Sequence, residues 1–220
     1  MAFIECALLS EGSSDKVLIP MLEWLLRKHA PQTPSSVEWV DLLRCPSKPS
    51  TMIEKITAAL DLYRCHILFV HRDSDGQDPE HRYGEIQDAI VSLLHGSRSV
   101  PYVCVVPIRM TEAWLLTEEA AIRSAAGNPN GTVPLTLPSL QRIETIPDPK
   151  ETLHDLLRTA SQLHGRRLKQ FNDGLCARRV AGCMNDFQKL LVLSAFHRLE
   201  TDLISTLRQL VQRDSALEEA

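Results

Sequence analysis

The chain has 220 residues, of which 44% are hydrophobic and 24% are charged, and its formal net charge is −4. These values are ordinary for a globular protein with one sizeable core, and they exclude a chain that is disordered or coiled coil over its full length. The net negative charge argues against nonspecific coating of nucleic acid but leaves room for a local basic groove.

The first half of the chain alternates apolar runs with segments of helical periodicity. Strands are predicted at 2–9, 37–43, 65–70 and 101–108, and amphipathic helices at 17–26, 52–63 and 86–94, the last closed by Gly96. Pro20 lies within the first helix and predicts either irregular first turns or a kink. Strands that alternate with helices predict parallel pairing through right-handed crossovers. Nearly continuous apolar strands indicate burial on both faces.

Strand patterns cease after residue 113. Short helices are predicted at 111–126, a turn-rich connection at 127–149, and longer helices at 151–164 and 186–212. We therefore predict an α/β protein with an open sheet of about four mainly parallel strands and helices on both faces. Residues 1–120 would form this core, and residues 121–220 a helical C-terminal part packed on it.

Acidic residues follow three of the predicted strands. Glu11 and Asp15 follow the first strand, Asp73 and Asp75 the third, and Glu112 the fourth. Ligands of an open parallel sheet bind beyond the carboxyl ends of its strands, where neighbouring loops meet. Carboxylate oxygens are the hard ligands that Mg²⁺ and Mn²⁺ prefer. The pattern therefore predicts a divalent-metal site at this edge.

Each of these residues also has a purely structural interpretation. The segment 73–76, Asp-Ser-Asp-Gly, is typical of a turn, Asp15 suits the first turn of a helix, and Glu112 can begin one. His71 is predicted to be a packed imidazole at a strand end, with proton transfer or metal ligation as the alternative. Trp114 is predicted to lie in the core.

Glu11 and Asp73-Ser74-Asp75 resemble, in order and spacing, the pattern of the Toprim domain. This Rossmann-like, metal-binding α/β fold occurs in topoisomerases, primases, recombination proteins and several nucleases. The segment 11–15 is similar to the Glu-Gly start of nucleases of the overcoming-lysogenisation-defect type, with Asp in place of Glu at position 15. The stretches 106–114 and 126–131 resemble small stand-alone bacterial Toprim-like proteins of uncharacterised function. The resemblance covers roughly residues 1–120.

The resemblance implies a nuclease that hydrolyses phosphodiester bonds of DNA or RNA with Mg²⁺ or Mn²⁺, in bacterial defence or nucleic-acid processing. Glu11, Asp73 and Asp75 would hold one ion. Asp15 and Glu112 would help to hold a second.

Basic residues provide the expected contacts with substrate. By the resemblance, Lys150 stabilises charge that develops on the phosphate. Arg72 and Arg109 lie beside the acidic loops and either reach the scissile phosphate or, as favoured here, neutralise nearby carboxylates. The main basic cluster either lines a groove for a nucleic-acid backbone or is a solvated helix face, and consists of Arg166, Arg167, Lys169, Arg178 and Arg179.

Two further functions stay open. A receiver-like phosphoacceptor module also has acidic residues after strands one and three, and Thr111 and Lys150 would suit it. That module, however, needs a lone aspartate at the third strand, where this chain has Asp73 and Asp75. A non-catalytic subunit that binds nucleic acid or a partner protein, with a structural or weak metal site, is the third interpretation.

Partners and compartment follow from what the sequence lacks. None of the nine glycines precedes a lysine, so there is no phosphate loop for ATP. Because the nucleases that the chain resembles are often joined to an ATPase, a separate ATPase chain is a predicted partner. No apolar stretch reaches membrane-span length, and the N-terminus does not resemble a signal peptide, so a cytoplasmic location is predicted. The six scattered cysteines are predicted to be reduced and structural.

Overall fold

The computed structural model describes residues 3–93 and 100–218, with side chains described as far as residue 213. Its first half alternates strands and helices, as the sequence predicts. The elements are β1 (Ile4–Leu9), α1 (Leu18–His29), β2 (Ser35–Trp39), α2 (Met52–Leu62), β3 (Ile67–His71), α3 (Pro79–Leu93) and β4 (Tyr102–Val105).

The described residues after β4 form helices and connecting loops. They contain α4 (Glu119–Ala125), α5 (Leu140–Ile143), α6 (Pro149–Ser161), α7 (Gly165–Lys169), α8 (Asp173–Cys183) and α9 (Ser194–Glu218). Short 3₁₀ segments occur at Ser13–Val17, Leu42–Arg44, Thr111–Thr117 and Gln188–Val192. The predicted connection at 127–149 contains only the single turn α5.

The described strands form one parallel sheet in the order β2-β1-β3-β4. Strand β1 is central, with Cys6 opposite Val37 of β2 on one side and Ile67 of β3 on the other. This arrangement confirms the predicted α/β class. The chain leaves β1 towards β2 but leaves β3 towards β4, so the strand order reverses direction between β1 and β3.

Both faces of the sheet are buried, which explains its apolar strands. Cys6 and Leu8 of β1 face the cluster that contains α1, whereas Ala7 and Leu9 face the cluster that contains α2 and α3. The C-terminal helices cover the α1 face. Their apolar residues join the cluster of α1 and the strands, and include Leu153, Leu157, Val180, Phe196 and Leu199.

Ion pairs connect α9 with α1 and α3. The Glu200 carboxylate lies 2.7 Å from Lys28 Nζ and 2.8 Å from His29 Nε2, and only 8% of Glu200 is exposed. Arg198 contacts Glu80 and stacks on the ring of Tyr83 at 3.4 Å. These contacts hold the long helix α9 on the fold that the strands and α1 establish.

Some element boundaries differ from the predictions for local reasons. A 3₁₀ turn precedes α1, so Pro20 lies in the first turn of the α-helix, where its missing N–H breaks no helical bond. Strand β2 covers 35–39 rather than 37–43, because the Asp41 side chain accepts a hydrogen bond from the Leu43 N–H and begins a 3₁₀ turn. Gly96, the predicted end of α3, lies outside the described residues.

Helices α7 and α8 were absent from the predicted elements. Helix α7 is a single turn, and α8 packs mainly small side chains, so neither has a long apolar stripe. The buried residues of α8 are Cys176, Ala177, Val180 and Ala181.

Two composition-based predictions are tested by the fold. All six cysteines are free, and burial raises the pKa of Cys6 and Cys104, which keeps both thiols protonated and unreactive. No helix within 3–93 or 100–218 is both long and apolar enough to cross a membrane.

Candidate functional site

The candidate site lies where the strand order reverses. Strands β1 and β3 are neighbours, with Leu9 opposite Val70 at their carboxyl ends, and their following loops separate towards opposite faces. This point is the preferred ligand position in an open parallel sheet. Glu11 and Asp15 lie in the segment that follows β1, and Asp73 lies in the loop that follows β3.

His71 connects the two acidic loops from the end of β3. It is only 1% exposed, its Nδ1 lies 3.4 Å from Asp15 Oδ2, and its Nε2 lies 3.1 Å from Asp73 Oδ1. Thr111 Oγ1 lies 3.0 Å from the same Nε2, and the Thr111 N–H donates to Asp73 Oδ1 at 3.0 Å. The imidazole is packed, as predicted, and it also bridges two carboxylates that are 58 residues apart in the chain.

The bridge changes the protonation of its members. Burial by itself lowers the pKa of His71, but the carboxylates of Asp15 and Asp73 outweigh burial and raise it to about 9. Burial likewise tends to raise the pKa of Asp15, yet His71 and hydrogen bonds from Gly12 and Ser14 hold it below its ordinary value. At neutral pH the bridge is therefore an imidazolium between two carboxylates.

We expect this bridge to make folding stability depend on alkaline pH. Protonation of His71 favours the folded chain, so its stabilisation is complete below pH 6.5 and is lost as pH rises through about 9. At roughly 1.4 kcal/mol per pKa unit, the free energy of unfolding should fall by about 1–3 kcal/mol. Urea unfolding at the two ends of this range measures the change.

The control for this measurement is His81→Gln, since His81 is an exposed histidine on α3. This variant should keep the pH dependence of the wild-type chain, whereas His71→Gln should lose most of it. Equal pH dependence in the two variants would show that the bridge does not determine it.

Hydrogen bonds connect the loops after β3 and β4, and a residue in each loop has a left-handed backbone conformation. The Arg109 N–H donates to the buried Ser74 hydroxyl at 2.7 Å, and the Asp75 N–H donates to the Arg109 carbonyl at 2.9 Å. Asp75 and Arg109 have φ of 52° and 69°, in the left-handed region, where non-glycine residues are uncommon. Gly76 has φ of 79°, and a Cβ there would lie 2.9 Å from Arg109 Nη1. Strained backbone of this kind is frequent at functional sites.

Two arginines form ion pairs with Glu11 and Asp75, the outer carboxylates of the site. Arg72 lies between Glu11 and Glu85, at 2.5 Å and 2.6 Å. Arg82 lies 3.3 Å from Asp75 Oδ2, 3.2 Å from Glu85 and 3.0 Å from the Asp73 carbonyl to which it donates. The sequence analysis did not identify Arg82 and Glu85, which are three residues apart on α3 and form an ion pair with each other.

Arg109, the other predicted substrate contact, pairs with no carboxylate in the part of the chain that the structure describes. Its Nη1 donates to the Pro147 carbonyl at 3.3 Å, so it connects the β4 loop to the start of α6. The geometry thus gives Arg72 the ion-pair role favoured from sequence and gives Arg109 a bridging role.

A small cavity of about 90 Å³ opens beside the His71 bridge. Helix α6 packs against the segment Thr111–Thr117 and α8 packs against Ser13–Val17, so the helical C-terminal part closes this side of the site. The polar side chains that line the cavity are Ser14, Asp15, Thr111, Glu112, Lys150, His154 and Arg178.

Glu112 lines this cavity, and its surroundings disfavour its charged form. Burial raises its pKa, the negative charges of Asp73 and Asp15 raise it further, and its own backbone N–H and Lys150 only partly oppose this. The carboxylates of Asp73 and Asp15 are therefore close enough to act on Glu112. Lys150, placed from sequence only by order along the chain, lies in the same cavity at the start of α6.

The remaining basic residues are distributed unevenly. Arg166, Arg167 and Lys169 are exposed on α7 and do not line this cavity. Arg178 lines it, and so does His154, one helical turn after Lys150. The spacing from 150 to 154 offered a signal for His154. Arg178 belongs to the basic cluster identified from the sequence, but its position in this cavity was not predictable because α8 was not predicted.

The donor set was tested for its fit to a divalent cation. Within the described residues, no three His, Cys, Asp or Glu side chains are arranged as a metal-binding group. The carboxylates are divided instead: Asp15 and Asp73 face His71, and Glu11 and Asp75 face arginines. The oxygen chemistry suits Mg²⁺ or Mn²⁺, and the repulsion at Glu112 would be relieved by a cation.

Comparisons of the chain with models of known protein families, with curated proteins and with solved structures find no match. The functional interpretation therefore depends on the geometry of the site and on the residues that resemble the Toprim pattern.

Proposed function

We propose that the chain is a divalent-metal-dependent nuclease that hydrolyses phosphodiester bonds of DNA or RNA at the strand-order reversal. The observation that carries this proposal is that Asp15 and Glu112 line one cavity, and that His71 joins Asp15 to Asp73. Burial, followed by the charges of Asp73 and Asp15, raises the pKa of Glu112. A divalent cation beside these carboxyl groups would favour the ionised form of Glu112. The resemblance of Glu11 and Asp73-Ser74-Asp75 to the Toprim pattern supports the same function.

Asp15, Asp73 and Glu112 would hold Mg²⁺ or Mn²⁺ from the cavity side, and Glu11 and Asp75 from the outer side. The outer pair must first leave Arg72 and Arg82. The Glu11 and Asp75 side chains are 39% and 50% exposed, and both arginines would keep Glu85 as a partner after this exchange.

When bound, a divalent cation would activate a water molecule and stabilise the leaving oxygen. The protein's own groups set the geometry. His71 holds Asp15 and Asp73 at a fixed separation, and the Thr111 N–H fixes one oxygen of Asp73. Lys150 lines the same cavity as Glu112 and would stabilise negative charge on the phosphate.

The contact between Thr111 and Asp73 also favours the receiver-like phosphoacceptor as a second candidate. Thr111 Oγ1 lies 3.3 Å from Asp73 Oδ1, so a hydroxyl stands beside a strand-end aspartate. However, that oxygen also accepts the Thr111 N–H and faces the buried His71, which leaves it poorly available as a nucleophile. A non-catalytic binding subunit is the third candidate.

The test is incubation of the purified chain with supercoiled plasmid, linear duplex DNA and structured RNA, each with Mg²⁺, Mn²⁺ or EDTA. The proposal expects cleavage of at least one substrate with a metal and none in EDTA. Labelling of Asp73 by acetyl phosphate without cleavage would favour the phosphoacceptor. Binding of nucleic acid without either reaction would favour the binding subunit.

A separate ATPase chain is proposed as a partner, because the sequence has no phosphate loop and the nucleases it resembles are often joined to an ATPase. Purification of the chain from its native cell under gentle conditions tests this. Recovery of the chain without any ATP-hydrolysing protein would count against the partner and would leave the nuclease proposal untouched.

A further inference from the structure

The cations near the cavity fall into two groups. Arg158 on α6 is fully engaged, because it pairs with Glu151 at 3.0 Å, with Asp155 at 2.9 Å and also with Asp173. Lys150 and Arg178 line the cavity, and neither forms an ion pair with a carboxylate of the described residues. Lys150 acts on Glu112 only at longer range, through its effect on the pKa of that carboxyl.

Two backbone amides at the start of α8 already have side-chain partners. The Gly174 N–H donates to Asp173 Oδ1 at 2.8 Å, and the Leu175 N–H donates to Asn172 Oδ1 at 2.8 Å. The first amides of the helix are therefore occupied. The cationic side chains of Arg178 and Lys150 are therefore the main groups in the cavity that can attract an anion.

The size of the cavity limits what can enter. Its volume of about 90 Å³ corresponds to roughly three water molecules, and pockets for drug-sized ligands begin near 300 Å³. A phosphate group fits this space, whereas a base or sugar does not. Asp15 and Glu112 line the same cavity, so one small site contains two carboxyl groups and two cations that form no ion pair within the described residues.

We propose that Arg178, together with Lys150, binds one phosphate group of a nucleic-acid strand and so positions the strand against the carboxylates. This inference rests on the proposed function and adds a substrate-binding residue that belongs to the helical C-terminal part. The planar guanidinium binds phosphate oxygens in pairs, which an ammonium does not do. Arg178 thus makes α8 a component of the site rather than only a cover for the sheet.

The experiment measures binding of a 3′-fluorescein-labelled single-stranded oligonucleotide by anisotropy in EDTA, so that no cleavage occurs. Arg178→Ala should weaken binding roughly 3- to 10-fold and reduce the slope of affinity against salt by about 0.7. Arg179→Ala is the matched control, because Arg179 is also exposed on α8 but does not line the cavity. It should change affinity less than about 2-fold. Arg178→Lys should recover part of the loss.

Inorganic phosphate is the second probe and should displace the oligonucleotide from the wild-type chain more readily than from Arg178→Ala. Equal losses in Arg178→Ala and Arg179→Ala, or no binding by the wild-type chain at low salt, would overturn the inference. If no metal supports cleavage but the two arginine variants still differ, the phosphate site stands and the nuclease fails. If cleavage occurs and the variants do not differ, the nuclease stands and the phosphate site fails.

Discussion

Asp73→Asn should lower metal-dependent cleavage by at least about 100-fold while leaving the chain folded. Loss of a residue that merely supports a metal ligand costs about 10- to 100-fold, so loss of a ligand should cost at least the upper end. Asparagine has the same shape as aspartate and keeps an oxygen for the Thr111 N–H, but it carries no charge to hold a cation. Initial rates on the preferred substrate and Mn²⁺ binding by calorimetry give the two readouts.

The matched control is Asp88→Asn, which makes the same change in charge at an exposed position on α3. It should keep both the cleavage rate and Mn²⁺ affinity within about 2-fold of wild type, as expected for a surface substitution away from any site. Cleavage by the Asp73→Asn variant at the wild-type rate would show that Asp73 is not part of the site. It would also contradict the nuclease proposal. Unfolding curves for both variants exclude a loss of structure as the cause.

Trp114→Ala should lower the free energy of unfolding by about 3–5 kcal/mol, the usual cost of removing a large buried aromatic side chain. Trp114 has no exposed surface and packs edge-to-face against Phe196 of α9, with ring centroids 5.1 Å apart. It lies in the same 3₁₀ segment as Thr111 and Glu112, between the sheet and α9. For a chain of this size, the melting temperature should fall by roughly 6–20 °C.

Trp114→Phe provides the conservative comparison. The indole Nε1 of Trp114 is buried without a hydrogen-bond partner, so phenylalanine removes an unsatisfied donor while it keeps most of the ring contact. Its loss should stay below about 2 kcal/mol in urea or thermal unfolding. A loss for Trp114→Ala smaller than that for Trp114→Phe would contradict the packing of α9 against this residue.

The fold class was predictable because it depends on patterns within short segments. The apolar run 67–70 can be buried on both faces only in the middle of a sheet, and Leu18, Met21, Leu22 and Leu25 form one helical face wherever the helix lies. Trp114 was predicted to lie in the core, and it is fully buried. Helix α8 was not predictable, since small residues such as Ala177 and Ala181 carry little signal of periodicity although they pack tightly in the fold.

The candidate site was predictable only in its location. Parallel strands end at one edge, so the acidic residues after β1, β3 and β4 had to lie in the same region. Which group faces which was not predictable, because an acidic side chain can pair with a metal, an arginine or a histidine with similar local sequence around it. The structure places Arg72 and Arg82 on the outer carboxylates and His71 between the inner ones.

By itself, the sequence determined the parallel α/β architecture and the collection of negative charge at one edge of the sheet, because hydrophobic periodicity and strand direction are local properties. Only the tertiary structure decided that His71 joins Asp15 to Asp73 and that Arg178 enters the cavity beside Glu112. Those contacts connect segments far apart in the chain, and their distances depend on how separate helices and loops pack together.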